Sequence, residues 1–169
     1  MAKNIIWATV FALIAAILQS TLLSYMTVHF HLPVPDLVMG VIIFTAYVNG
    51  PMSGQITGFF AGLLLDFLSA APLGLNAFIR TLTGALTGFM RGTFFLDVLF
   101  LPMILCFCAT VFKALLLFAL NFLFAGMVHA YSFSNGVFWF ELLFNTLSAP
   151  FLFGFLKLFK FLLPERRKT

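Results

Sequence analysis

The chain has 169 residues, of which 63% are hydrophobic and 8% charged, with a formal net charge of +4, and its mean hydropathy is +1.13. That composition leaves too little polar surface to coat a soluble globule, which points to an all-α integral membrane protein. At about 20 residues per crossing, the length holds about six spans and no soluble domain, so one membrane domain covering 1–169 is expected.

Six apolar segments are separated by Pro, Gly, Asn and Ser rather than by charged loops. They run over residues 5–23, 33–48, 53–68, 73–90, 94–124 and 135–163. The first follows Lys3 and is too long, with no small-x-small site after it, for a cleaved signal peptide. It carries Ala8, Ala12 and Ala16 four apart. Such a small face either packs on an internal neighbour or is presented to another protein, with Gln19 placed to hydrogen-bond across the contact.

The second segment starts at Pro35-Asp36, a helix-start signal in which Asp satisfies free N–H groups. It is short for a span and is expected to borrow its first turn from residues 33–36. Asn49-Gly50-Pro51 ends it. Segments three and four carry two glycine ladders, Gly54/Gly58/Gly62 and Gly84/Gly88/Gly92, joined by a hinge with Pro72, Gly74 and Asn76. Each helical Gly is unfavourable by about 1 kcal/mol relative to Ala in water, whereas in lipid a smooth face lets helix backbones approach closely. The ladders therefore mark a helix-packing surface, internal or facing a partner.

Ionisable groups at membrane depth need a partner or a task. Asp66, one turn before the end of segment three, and Arg80, two turns into segment four, come to similar depth in an antiparallel hairpin. Two readings stand: an ion pair bracing the hairpin, or Asp66 as a proton or ligand site. Lys113 and Glu141 offer a second pair between segments five and six, with Lys113 snorkelling to reach it and Asn121 and Asn145 adding amide bonds. In segment five, Pro102 is a candidate kink, Asp97 is expected at the interface, and Cys106 and Cys108 read as buried apolar thiols.

Lys3, Arg91, Lys157, Lys160, Arg166, Arg167 and Lys168 fall on one side of a six-span layout, which predicts both termini in the cytoplasm. His29, His31 and His129 are too scattered for a metal or catalytic cluster, and Trp7 and Trp139 suit interface anchors. No catalytic set, metal site, cofactor motif or nucleic-acid motif can be assembled, so an enzyme is not expected.

The block PDLVMGVIIFTAYVNGPMSGQITGFFAGLLLDFLSAAPLGLNAF resembles the core of the rod shape-determining MreD family. Its landmarks are Pro35-Asp36, Gly50-Pro51, the Gly54 to Gly62 helix, Asp66 and the Pro72 to Asn76 hinge. The chain departs from the family pattern at Val48-Asn49, where basic residues are frequent, and at Arg80, where an apolar residue is expected. The resemblance implies a non-enzymatic adaptor of the cell-elongation machinery in the bacterial inner membrane. Its partners would be an MreC-like protein, RodA, a class B penicillin-binding protein and, indirectly, MreB. The implied fold is similar to the substrate-binding subunits of energy-coupling-factor transporters, six helices around a pocket. The competing reading is therefore a vitamin-binding transporter subunit that docks its coupling partner through Ala8, Ala12 and Ala16, with Tyr131, Trp139 and Glu141 as ligand groups.

Overall fold

A computed structural model describes residues 2–30, 35–69, 71–92, 100–124 and 136–159. Among the described residues there are six helices: α1 Ala2–Phe30, α2 Leu37–Asn49, α3 Pro51–Leu68, α4 Leu75–Phe89, α5 Phe100–Leu123 and α6 Val137–Lys157. Three stretches are long and apolar enough to cross a bilayer, Asn4–Leu22, Phe100–Leu123 and Val137–Lys157, and Leu37–Asn49 is a shorter apolar helix. His31, Asp97, His129, Tyr131 and the basic tail from Lys160 lie outside the described residues, as does the side chain of His29.

The shortest helix is the axis of the bundle. α2 touches all five others, which surround it in the order α1, α3, α4, α5 and α6, each in contact with the next. Every residue from Val38 to Ala46 is buried. A helix apolar all round belongs in a core, and its neighbours are shaped for it. Ala8, Ala12 and Ala16 are each fully buried in the cluster that contains Val38, Ile42 and Phe44. The small face of α1 is thus spent on internal packing. Phe44 also meets Phe153 of α6 edge to face, with ring centroids 5.2 Å apart. Gly40 leaves room for Leu152, whose side chain occupies the space a Cβ would need.

The expected extension of segment two into residues 33–36 does not occur at Pro35 and Asp36. Asp36 has φ −79° and ψ 79° and caps a helix that begins at Leu37. Because the other helices enclose α2, it has no need of a full membrane length.

The two glycine ladders face each other. A Cβ on Gly54 would lie 2.6 Å from the Gly84 carbonyl oxygen, and one on Gly62 would lie 2.6 Å from the Asn76 carbonyl oxygen. On Gly58 it would collide with the Arg80 carbonyl, and on Gly88 with the Pro51 Cα. The contacts pair the start of α3 with the end of α4, as an antiparallel hairpin requires. Gly92 does not belong to the ladder: it follows the end of α4 with φ 75°, and a Cβ there would meet nothing within 4 Å. Its role is the left-handed turn that glycine adopts without strain.

Cys106 is buried as expected, but Cys108 is exposed, because residues two apart point to different sides of α5. Pro102 is buried within α5, which runs unbroken from Phe100.

Overpacking a close-packed seam costs about 1 to 3 kcal/mol or more. Gly58→Leu should therefore abolish the monodisperse detergent-solubilised fold in fluorescence-detected size-exclusion chromatography. Gly154→Leu, at a helical position where a Cβ meets nothing within 4 Å, should leave the elution profile and melting temperature unchanged.

Candidate functional site

A helix that starts inside a membrane protein must satisfy its first N–H groups without water. In α2 they are all accounted for. The Asp36 N–H donates to Asn145 Oδ1 at 2.7 Å and the Leu37 N–H to the Pro35 carbonyl at 2.9 Å. The Val38 N–H donates to Gln19 Oε1 at 2.9 Å, and the Met39 N–H to Asp36 Oδ1 at 3.0 Å. The Gly40 N–H then begins the ordinary ladder, donating to the Asp36 carbonyl at 3.1 Å. Gln19, expected to bond across the small face of α1, does so to the backbone of α2.

The Asp36 carboxylate is also the centre of a charge cluster. Arg80 Nη1 and Nη2 donate to its two oxygens, each at 3.0 Å, in the bidentate fork that suits guanidinium and carboxylate. Lys113 Nζ lies 3.3 Å from Asp36 Oδ2 and 2.7 Å from Glu141 Oε1. Four helices thus contribute one charge from α4, one from α5, one from α6 and one from the cap of α2. Asp36 and Glu141 balance Arg80 and Lys113 to zero formal charge. The Asp36 and Arg80 side chains are 3% and 4% exposed, those of Glu141 and Lys113 11% and 16%. The Lys113–Glu141 pair is therefore the less buried of the two.

Asn145 extends the network. Its Nδ2 donates to Thr110 Oγ1 at 3.1 Å, and the Thr110 hydroxyl donates to the Cys106 carbonyl at 2.9 Å. A cavity of about 10 Å³ lies beside this group, lined by Asp36, Thr110, Asn145 and Ser148 among others. Its lining is mostly apolar, with Leu37, Met39, Ala149 and Leu152 beside those four, and its size is that of one water molecule.

The expected Asp66–Arg80 pair is not formed. Asp66 instead accepts from the Gly74 N–H at 3.0 Å, the Asn76 N–H at 2.9 Å, Asn76 Nδ2 at 3.0 Å and the Ala77 N–H at 3.1 Å. Its carboxylate caps the start of α4, where free N–H groups and the positive end of the helix dipole favour an anion. Gly74, at φ 92°, turns the chain so that these N–H groups converge on it. Pro72 and Asn76 belong to this cap, and Gly50, at φ 97°, with Pro51 forms the turn between α2 and α3. A carboxylate already holding four donors has no need of a distant guanidinium, whatever the match in depth. Arg80 lies one turn past the cap and reaches Asp36.

Thr110 gave no sequence signal of its own. Asp36 did: with Asp66 assigned to a helix cap, Asp36 and Glu141 are the acidic partners left for Arg80 and Lys113 within the bundle. Three buried polar atoms have no hydrogen-bond partner among the described residues, Arg80 Nε, Ser53 Oγ and Thr57 Oγ1.

Removing one member of a buried ion pair costs about 3 to 5 kcal/mol, because the other charge is left unpaired. Asp36→Ala and Arg80→Leu should each lower thermal stability in detergent by that order, and the double variant should lose much less than their sum. An Asp66→Ala, Arg80→Leu pair should show far weaker coupling. Equal coupling in the two cycles would contradict this arrangement of charges.

The model of the family described as rod shape-determining protein MreD matches residues 1–160. No curated protein and no solved structure matches the chain. The match spans the buried cap of α2, the glycine seam and the charge cluster alike, and by it the chain belongs to the rod shape-determining MreD family.

Proposed function

We propose that this protein serves rod-shape determination as a non-enzymatic scaffold, holding a single-span, MreC-like protein within the bilayer. In that role it forms part of the elongation machinery with RodA and a class B penicillin-binding protein, and indirectly with MreB. The observation that carries this reading is the closure of the polar centre. Asp36, Arg80, Lys113 and Glu141 neutralise one another, and the cavity beside Asp36 has room for about one water, which suits a braced core. A larger cavity of about 490 Å³ between the start of α4 and the end of α5 is lined by apolar residues such as Leu73, Phe78 and Phe124, without the polar side chains that orient a vitamin. Six crossings of the bacterial inner membrane with both termini in the cytoplasm agree with the one-sided basic residues and the alternating helix directions.

The small-residue faces are occupied inside the bundle, so the partner contact belongs on an outward face. α1 is the strongest candidate, since 22% of its spanning stretch is buried against 33% for α5 and α6. Its outward residues Ile6, Val10, Ile14 and Leu18 are all more than two-fifths exposed.

A photo-crosslinking residue at Ile14 should capture the MreC-like partner in cells, whereas the same residue at Phe118 of α5 or Phe151 of α6 should not. Depletion should convert rods to spheres. Tight vitamin binding by the purified protein, with rod shape kept on depletion, would overturn the scaffold reading in favour of the transporter one. For the topology, a cysteine at Thr169 should stay unlabelled by an impermeant reagent in intact cells, while one at Ser134 should react.

A further inference from the structure

The hairpin of α3 and α4 lacks the composition of a free-standing span. Asn4–Leu22, Phe100–Leu123 and Val137–Lys157 are long and apolar enough to cross a bilayer and α2 is a shorter apolar helix, whereas neither α3 nor α4 falls in either group. α4 carries its polar face inward. Its outward side chains Phe78, Leu86 and Phe89 are 45% exposed or more, while Arg80, Thr83 and Thr87 on the inward face are 4% exposed or less. On its own such a helix is surface-seeking and lies in the membrane interface with its charged face in water. It stays across the bilayer only while other helices cover that face.

The hairpin supplies most of the cover itself. Gly54, Gly58 and Gly62 face backbone atoms of α4 without room for a Cβ. Asp66 is held by four donors from the hinge and the start of α4, and the Thr83 and Thr87 hydroxyls donate to carbonyls of α4. Arg80 is the exception. Both hydrogen bonds that it makes among the described residues go to Asp36, outside the hairpin at the head of α2. The tip, residues 69–74, has no ionisable group to resist translocation, and Arg91 stands exposed just beyond the base. Because the hairpin contributes two crossings, it can enter or stay behind without reversing α5, and Arg91 keeps to the same side either way.

We propose that the α3–α4 hairpin is a conditional membrane insertion and that the Asp36 carboxylate is the lock holding it across the bilayer. With that charge in place, Arg80 is neutralised and the polar face of α4 is buried. Without it, α4 rests on the cytoplasmic surface with Arg80 in water. Crossing by the hairpin thus depends on an α2 in place beside it, which makes closure of the bundle a checked step. The inference rests on the six-span topology proposed above.

The test reads the side of the membrane on which the hairpin tip lies. The full chain, with Cys106→Ala and Cys108→Ala, carries either Ser69→Cys at the tip or Ser134→Cys between α5 and α6. Intact cells are treated with an impermeant maleimide, and labelling is normalised to the protein present so that degradation does not decide the result. Asp36→Asn removes the charge and keeps a residue that caps helices well. It should lower labelling at Ser69→Cys by about tenfold or more, since an unpaired arginine in the hydrocarbon layer shifts insertion by about a hundredfold, and leave labelling at Ser134→Cys unchanged. Arg80→Leu breaks the same ion pair, yet it should leave both sites labelled and should restore labelling at Ser69→Cys when added to Asp36→Asn. Undiminished tip labelling in Asp36→Asn, loss at both sites, or no restoration by Arg80→Leu would overturn the proposal. Labelling of the parent protein at the two sites checks the topology, so a failure of that reading is told apart from a failure of the lock.

Discussion

A helix that begins in the middle of a protein within a membrane carries several free N–H groups and the positive end of a dipole into a place without water. The rest of this fold follows from meeting that demand at the start of α2. Gln19 comes from α1, Asn145 from α6, and Asp36 serves as its own cap, so the helix is tied to its neighbours before any side chain packs. The capping carboxylate then needs counter-charge, and Arg80 and Lys113 supply it from α4 and α5. Lys113 brings one cation more than Asp36 requires, and Glu141 restores neutrality. Each residue answers the deficit left by the one before it.

Two acidic residues that look alike in the sequence have been sorted by geometry into different tasks. Asp66 lies near a helix end beside a glycine turn, where four donors converge on it without any basic residue. Asp36 satisfies a single backbone N–H through its side chain and leaves most of its acceptor capacity for a guanidinium and an ammonium. An uncompensated carboxylate at membrane depth is costly, so the division decides where the cations must go. Swapping the partners would leave the α4 cap without an anion and the α2 cap without counter-charge.

Much of this was legible in the residues. Glycines four apart announced a close helix contact, internal or with a partner, and the structure shows that the two ladders meet each other. The expected segments 53–68 and 73–90 lie within two residues of α3 and α4, because Pro51, Ser69 and Gly74 act locally. Lys113 and Glu141 are brought together because their opposite charges leave few alternatives in an apolar bundle. What the residues did not disclose is that α2 is central. A run of thirteen apolar residues reads the same whether it crosses a membrane poorly or fills a core well, and only the arrangement of the other five helices distinguishes the two. The partner of Arg80 was reachable only by first assigning Asp66 to a helix cap, since Asp36 becomes a deep residue only when α2 is enclosed.

The glycine seam and the charge cluster are one device rather than two. Gly58 faces the backbone of Arg80, with no room for a Cβ between them. The distance between α3 and α4 at that level therefore fixes where the Arg80 side chain starts. A methyl group there would push α4 outward, and both 3.0 Å hydrogen bonds to Asp36 would have to lengthen together, because the guanidinium is rigid and binds through two parallel contacts. Loosening the seam by a small distance thus weakens the electrostatic closure of α2, whose start is held from the other side by Asn145 and Gln19. The ladders are consequently best understood as spacers that set the reach of one cation, and the smooth faces that in a different membrane protein would recruit a partner are here committed to aiming Arg80.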